Sequence, residues 1–312
     1  MHTPANERVA TIGFVGLGVM GEPMCRNLAI KSGKAVYGFD LRQEPVERIS
    51  EQGVIATKSI AEIATRCDVI LLSLPNGEQV SQICEAPDGL LARMRSGQIL
   101  VDMSTTPVDL TRRLAGRFAE RGIGFADAPI ARTRAAAEEG TLSITVGADS
   151  ETFAAIRPLM ACCGTDITHC GPVGSGQVVK ILNNMVMMET VVALSEALAI
   201  ARRSGVNGKT LFDAFSKGSA DSFALRNHGM KAVLPGEFPE RAFSSVYAYK
   251  DLSYALLLAD EVGIAADGAS HAGLLLRKSI ERGDGDLYWP VISRVLDSGI
   301  EAKVCDGHGE PQ

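Results

Sequence analysis

Lys180 is the side chain in this sequence best suited to move a proton. It stands in Gly174-Ser-Gly176-Gln-Val-Val-Lys180-Ile-Leu-Asn183-Asn184, where a helical period puts Gly176, Lys180, Asn183, Asn184 and Met187 on one face. Among apolar neighbours an ammonium loses hydration, which lowers its pKa and fits it for general acid or base work. The competing reading is a lysine that carries its charge out to water along its aliphatic stem. A second pattern lies near the start of the chain. Thr11-Ile-Gly-Phe-Val-Gly16-Leu-Gly18-Val19-Met20-Gly21 reads as an apolar strand breaking into a glycine loop that opens a helix. Gly16, Gly18 and Gly21 have dinucleotide-binding spacing: one glycine for the turn, one for approach to the pyrophosphate, one for helix–strand packing. Asp40 ends the strand-like Ala35–Phe39, where a carboxylate grips ribose hydroxyls and repels a 2′-phosphate, so NAD is expected over NADP. Arg42, two positions on, is either a cation within reach of such a phosphate or a solvated residue opening the next helix.

These groups need elements to hold them. From residue 11 to about 170, short apolar runs alternate with helical stretches, the pattern of a doubly wound, parallel α/β sheet. Strands are expected at 11–15, 35–39, 68–73, 98–102, 123–127, 142–146 and 165–169. Val69–Leu72 and Ile99–Val101 are continuously apolar, as strands covered on both faces must be. Ligands of such sheets gather at the strands' carboxyl ends. That edge would carry Gly16–Gly21, Asp40, Leu74-Pro75-Asn76, Ser104-Thr105 and the segment after Asp127. After Gly171-Pro-Val-Gly174 the alternation stops, and one long helix is expected over 175–203, followed by helices near 208–217, 222–230, 244–262, 265–282 and 287–297. The expected architecture is therefore a Rossmann-type α/β domain over 1–172 and an all-helical domain over 173–312, built on a long interdomain helix. Residues 1–9 and 303–312 read as poorly ordered tails.

Composition sets the outer limits. The 312 residues are 46% hydrophobic and carry a net charge of −6, with basic residues scattered among acids, which argues against a nucleic-acid partner. Lys180, Glu189 and Glu196 argue against a membrane span in the long helix, and the first eight residues lack a leader's apolar core, so a cytoplasmic protein is expected. Neither the seven cysteines (25, 67, 84, 162, 163, 170 and 305) nor the five histidines (2, 169, 228, 271 and 308) show metal-ligand spacing, and no metal is expected. Apolar residues occupy much of the long helix's circumference, which suggests cover from a second copy in a homodimer or homotetramer.

Taken together, Gly16-x-Gly18-x-Met20-Gly21, Leu74-Pro75-Asn76, Asp102-Met-Ser104-Thr105, Asp127-Ala-Pro129, Gly174-x-Gly176-x-x-x-Lys180-x-x-Asn183-Asn184 and Lys250-Asp251 resemble the β-hydroxyacid dehydrogenase family, in the family's order and across nearly all of 11–300. The resemblance implies an NAD-linked oxidoreductase acting on a small anionic 3-hydroxy acid or its semialdehyde. It implies that Lys180 is the catalytic acid/base and that Asn184, with Asn183 beside it, holds the substrate. It implies that the glycine loop, including Val19 and Met20, binds the dinucleotide, that Leu74, Pro75, Asn76 and Thr105 line it, and that Lys250 reaches the active site. On residue types alone, Lys250-Asp251 would be a solvated surface pair.

One departure bears on the substrate. Where family members that bind simple hydroxyacids read Asp-Ala-Pro-Val-Ser-Gly-Gly, this chain reads Asp127-Ala-Pro-Ile-Ala131-Arg132-Thr133-Arg134. An arginine fork supplies full charge and paired donors to an oxyanion. The substitution is similar to the Gly-Arg-Thr segment of sulfolactaldehyde reductases, whose arginine contacts the sulfonate. Ser104, Arg132, Thr133 and Asn184 are thus expected to hold the anion and orient the alcohol. The alternative has Arg132 turned outward. Two rivals differ in class: an imine reductase of the same architecture, whose members generally lack the lysine, and a nucleotide-binding scaffold without turnover.

Overall fold

The structure is a computed structural model that describes residues 9–240 and 242–297. His2, Cys305, His308 and nearly all of both expected tails lie outside them. The chain divides into two compact units, 1–180 and 181–312. The division falls eight residues beyond the boundary expected from the Gly-Pro-Val-Gly break, because the first turn of the long helix is bonded into the α/β unit.

The first unit is a nine-stranded sheet. Its strands are β1 (Thr11–Val15), β2 (Ala35–Phe39), β3 (Ile55–Ala56), β4 (Val69–Leu72), β5 (Ile99–Asp102), β6 (Gly124–Asp127), β7 (Ile130–Ala131), β8 (Leu142–Gly147) and β9 (Gly164–Gly171). They lie in the order β3-β2-β1-β4-β5-β6-β8-β7, with β9 paired to β8. Pairing is parallel from β3 through β6. Helices α1 (Gly21–Lys31), α2 (Gln43–Ser50), α3 (Ile60–Arg66), α4 (Gly77–Glu85), α5 (Leu90–Arg93), α6 (Val108–Ala119), α7 (Arg134–Glu139) and α8 (Ser150–Cys163) connect the strands. Val69 and Leu71 join one buried cluster while Ile70 and Leu72 join another, so β4 has a core on each face, as its unbroken apolar run requires. Cys25, Cys67, Cys84, Cys162 and Cys163 are free thiols packed as small buried residues.

All seven expected strands are present, and β3 and β7, of two residues each, are additions. Strand direction is the correction. β8 runs antiparallel to β6 and β7, with Asp127 opposite Gly147 and Ala131 opposite Ser143. The cause is the short connection: with only α7 between β7 and β8, the chain turns back on its own strand instead of crossing over.

The second unit is helical. α9 (Ser175–Arg203) covers the expected 175–203 and is followed by α10 (Gly208–Phe215), a π-helical segment Leu225–Val233, α11 (Ser245–Glu261), α12 (Asp267–Ser279), a 3₁₀ turn Trp289–Ile292 and α13 (Ser293–Asp297). Ile181, Met188, Val191, Leu194 and Leu198 of α9 are buried, whereas Val179, Leu182, Val186 and Ile200 are exposed. By length and composition α9 is apolar enough to cross a bilayer, so the charges at Lys180, Glu189 and Glu196 exclude less than the residue types suggest; its buried face is nonetheless that of a core helix.

Candidate active site

The glycine loop has the shape its spacing predicts. Gly16 adopts φ +94°, and a side chain there would meet the Ser73 carbonyl oxygen at 2.3 Å. A Cβ on Gly21 would strike the Gly16 carbonyl oxygen, so this glycine lets α1 pack against the turn. A Cβ on Gly18 would meet nothing within 4 Å: this glycine faces open space, where backbone can approach a pyrophosphate at the start of α1. The two closed glycines and the open one form a cradle that fits a dinucleotide. Val19 is exposed beside it, and Met20 stands at the residue before α1 without a capping hydrogen bond from its side chain.

Asp40 reaches back into this loop. Its Oδ2 accepts the Leu17 amide at 2.7 Å, and its Oδ1 accepts Arg42 N at 2.8 Å and Nε at 3.3 Å. Arg42 also donates to the Leu17 carbonyl at 3.4 Å. Arg42 therefore opens α2 and also stays at the carboxylate, bringing acid and base together where the ribose is expected.

At the carboxyl ends of β4, β5 and β6 the sequence folds into a buried polar network. The Leu74 amide donates to Ser104 Oγ at 2.9 Å, and the Ser104 carbonyl accepts Gln177 Nε2 at 2.8 Å. Asp102 accepts the Ser104 amide at 2.9 Å and the Thr106 hydroxyl at 2.6 Å, and the Thr106 amide donates to Gln177 Oε1 at 3.2 Å. Asp127 Oδ1 accepts the Gly174 amide and Oδ2 the Gln177 amide, both at 2.7 Å. Ser104, Thr106, Asp102, Asp127 and Gln177 are all buried, and Lys180 follows Gln177 by three residues on α9. Burial holds Asp127 up at about 6, against the pull of its two amide donors. Ser104, expected on the substrate, accepts the Leu74 amide at its hydroxyl oxygen and has its own amide and carbonyl bonded inside the scaffold. Asn76 Oδ1 caps α4 through the Gln79 amide at 3.1 Å, and Thr105 and Pro75 are less buried than their neighbours in this edge.

Arg132 lies outside the network. It is the sole non-glycine among the described residues with positive φ, at +88°. Its guanidinium pairs with Asp166 Oδ2 at 2.6 Å and donates to the Thr141 carbonyl at 2.6 Å and to Thr165 Oγ1 at 3.2 Å. These partners flank the amino-terminal ends of β8 and β9, whereas α9 docks toward the carboxyl end of β8, where Thr145 Oγ1 donates to the Gly176 carbonyl at 3.1 Å. From Leu142 to Thr145 is about 10 Å at ~3.3 Å per residue. Thr133 caps α7 through the Ala136 amide at 3.4 Å, and Arg134 pairs with Glu138 at 2.8 Å.

The helical unit holds the remaining expected residues. Asn184 is buried and donates its amide to Asp251 Oδ2 at 2.8 Å, and Asn183, exposed, donates to Asn184 Oδ1 at 3.3 Å. Lys250 pairs with Asp251 Oδ1 at 3.0 Å and stands over the rings of Tyr247 and Tyr254 at 5.6 and 5.5 Å. With only 20% and 5% of their side chains exposed, Lys250 and Asp251 are no solvated surface pair.

A family model described as the NAD binding domain of 6-phosphogluconate dehydrogenase matches residues 11–171. A second, described as the NAD-binding domain of NADP-dependent 3-hydroxyisobutyrate dehydrogenase, matches 174–288. The chain is 37% identical over 250 residues to 2-(hydroxymethyl)glutarate dehydrogenase of Eubacterium barkeri, covering 80% of this chain and 82% of that one. The chain belongs to the β-hydroxyacid dehydrogenase family. A further relative in that family, NAD-dependent L-serine dehydrogenase of Pseudomonas aeruginosa, is 30% identical over 291 residues, covering 92% of this chain and 97% of its own. The solved 3-hydroxyisobutyrate dehydrogenase of Mycobacterium tuberculosis with L-serine superposes with a TM-score of 0.85 at 29% identity, over 92% of this chain and 99% of that one. This β-hydroxyacid dehydrogenase is thus a nicotinamide-dependent oxidoreductase with a Rossmann-type domain followed by a helical one. Sequence reasoning missed the parts of Asp102, Thr106, Asp127, Gln177 and Asp251. A signal did exist for two of them: Asp102 and Asp127 end neighbouring strands at one register, an unusual place for paired acids in an apolar sheet.

Proposed function

We propose that this protein interconverts a small anionic 3-hydroxy acid and its semialdehyde with NAD(H), Lys180 being the proton donor and acceptor and Arg132 the principal anion-binding group. The observation that carries the reaction type is the docking of the first turn of α9. Through Gln177 and Asp127, Lys180 is held one turn into the helix at the sheet edge that also carries Leu74, Ser104 and the glycine loop. The nicotinamide, when bound, supplies or accepts the hydride. Lys180 Nζ gives its proton to the carbonyl oxygen during reduction and takes the hydroxyl proton during oxidation. Asn184, oriented by Asp251, holds the substrate beside it. NAD is favoured by Asp40 and by the NAD-dependent relative; the nearness of Arg42 makes the preference one to measure.

Substrate class rests on Arg132. A left-handed backbone costs a non-glycine residue about 1 kcal/mol and is kept where the side chain is needed. Arg132 is held by Asp166 and the Thr141 carbonyl, about 10 Å along β8 at ~3.3 Å per residue from the point where α9 docks, so this reading requires the guanidinium to leave Asp166 and reach toward Lys180. Released, it offers paired donors to an oxyanion, and a sulfonate, as in sulfolactaldehyde, is the leading ligand. A carboxylate is the second reading: the partner Arg132 holds in this structure is itself a carboxylate, and the relatives' names describe carboxylic acids. Following NADH oxidation with sulfonate, carboxylate and phosphate semialdehydes of equal carbon length separates the two. Highest kcat/KM on the sulfonate supports the first reading, and saturable NADH binding with no oxidation of any of them refutes both. The exposed apolar line Val179, Leu182, Val186 and Ile200 supports a homodimer or homotetramer, and the acidic balance of the composition supports an enzyme without a nucleic-acid partner.

A further inference from the structure

The acid that ends β6 touches the helix that carries Lys180. Asp127 is fully buried, and its two oxygens are shared between the Gly174 and Gln177 amides, at 2.7 Å each, which belong to the start of a 29-residue helix. Amide groups at a helix start have no partner within the helix, and a carboxylate there also meets the positive end of the helix dipole. The approach is close enough to dictate two glycines. A Cβ on Gly147 would fall 2.4 Å from Asp127 Oδ1, and one on Gly176 would fall 2.8 Å from Oδ2 and 2.5 Å from the Thr145 carbonyl oxygen. Gln177 then ties the same turn to β5 through the Ser104 carbonyl and the Thr106 amide.

We infer that Asp127 is a positioning residue for proton transfer, the anchor that sets the height and rotation of the first turn of α9 and through it the place of the Lys180 ammonium. Lys180 lies three residues beyond Gln177, about 4.5 Å along the axis at ~1.5 Å per residue. A slip or rotation of the anchored turn is therefore passed to Lys180 almost undiminished, and a misplacement of about 1 Å can cost on the order of 10²-fold in rate. The inference rests on Lys180 being the acid/base.

The test compares Asp127→Asn, Gly147→Ala and Lys180→Ala with the unaltered protein. In Asp127→Asn the side-chain amide keeps one oxygen for one backbone donor and presents an NH₂ group to the other, so the turn is released at one point. Expected for Asp127→Asn is a 10- to 100-fold fall in kcat, an NADH dissociation constant within twofold, and a displaced limb in the kcat–pH profile. A merely structural role would not move that limb. Gly147→Ala, which leaves the carboxylate but pushes its Oδ1 aside, should give the same pattern at smaller amplitude and decides the matter if Asp127→Asn does not fold. Full kcat in either folded variant, or NADH affinity lost in step with kcat, overturns the inference. Full turnover in Lys180→Ala overturns instead the reading on which it rests.

Discussion

Replacing Arg132 by glycine and by alanine separates its cost from its use. Both variants lose the guanidinium and with it the pair to Asp166. At side-chain exposures of 39% and 58% that pair is screened by solvent and adds little to stability. They differ in the backbone: at φ +88° alanine keeps the left-handed strain of about 1 kcal/mol, while glycine is released from it. Part of glycine's gain is offset by the greater freedom of its unfolded chain, about 0.5–1 kcal/mol, an offset familiar from substitutions at strained positions. Arg132→Gly is thus expected to stay close to the parent in stability, its relief of strain offset by the lost pair and by the freer unfolded chain, and Arg132→Ala to melt up to about 2 °C below Arg132→Gly, at roughly 2–4 °C per kcal/mol for a chain of this size. Catalysis should not follow stability. Removing a charge-assisted hydrogen-bond donor worth about 1.5–3 kcal/mol lowers kcat/KM on an anionic semialdehyde by roughly 10- to 150-fold in both variants. Differential scanning calorimetry and steady-state NADH kinetics on the pair read the two quantities separately. An alanine variant more stable than the glycine one refutes the strain argument, and unchanged kcat/KM in both moves anion binding to other residues.

Lys180→Ala should lower turnover by at least about 10²-fold with NADH affinity nearly intact, read by stopped-flow and fluorescence titration; equal loss in both would make Lys180 a cofactor ligand instead. Asp40→Ala removes the acceptor of the Leu17 amide and frees Arg42, and should move the NADPH/NADH ratio of kcat/KM at least about tenfold toward NADPH; an unchanged ratio places ribose discrimination elsewhere. His228 is buried against Tyr288 and Trp289, and burial lowers it to about 4. Because the unfolded chain then binds the proton first, stability is full above about pH 6.5 and is lost as pH falls toward 4, by up to about 3 kcal/mol. Urea unfolding at pH 7 and pH 5 should show His228→Gln losing less than the parent over that interval. Asp127, held up at about 6, acts in the opposite sense in both proteins and cancels in the comparison.

The α/β alternation, the glycine loop and the extent of α9 were legible in the residues because each is a local property: an apolar run of strand length, a spacing of small residues, a helical period closed by turn residues. The direction of β8 was not, since the pattern that marks a strand is the same whichever way it runs, and only the length of the β7–β8 connection separates the cases. Lys180 and Asn184 stood out by contrast with apolar neighbours. Gln177 sits in the same stretch but bonds to residues some seventy positions away, and no spacing rule connects it to Ser104 or Thr106. Arg132 shows the limit most clearly: its type signals an anion, while its left-handed backbone and its hold on Asp166 exist only in the folded chain.

The docking of the first turn of α9 also fixes how the molecule can be divided. A fragment cut at residue 172, where the chain's composition changes, would keep Asp127 buried beside Asp102 and discard both amides that pull its pKa down, so the carboxyl would move still further above the usual carboxylate range. Cut after Lys180, the same fragment retains its own electrostatic closure. The α/β unit thus ends chemically inside a helix, and Lys180, the residue proposed to transfer the proton, is the last one that belongs to it.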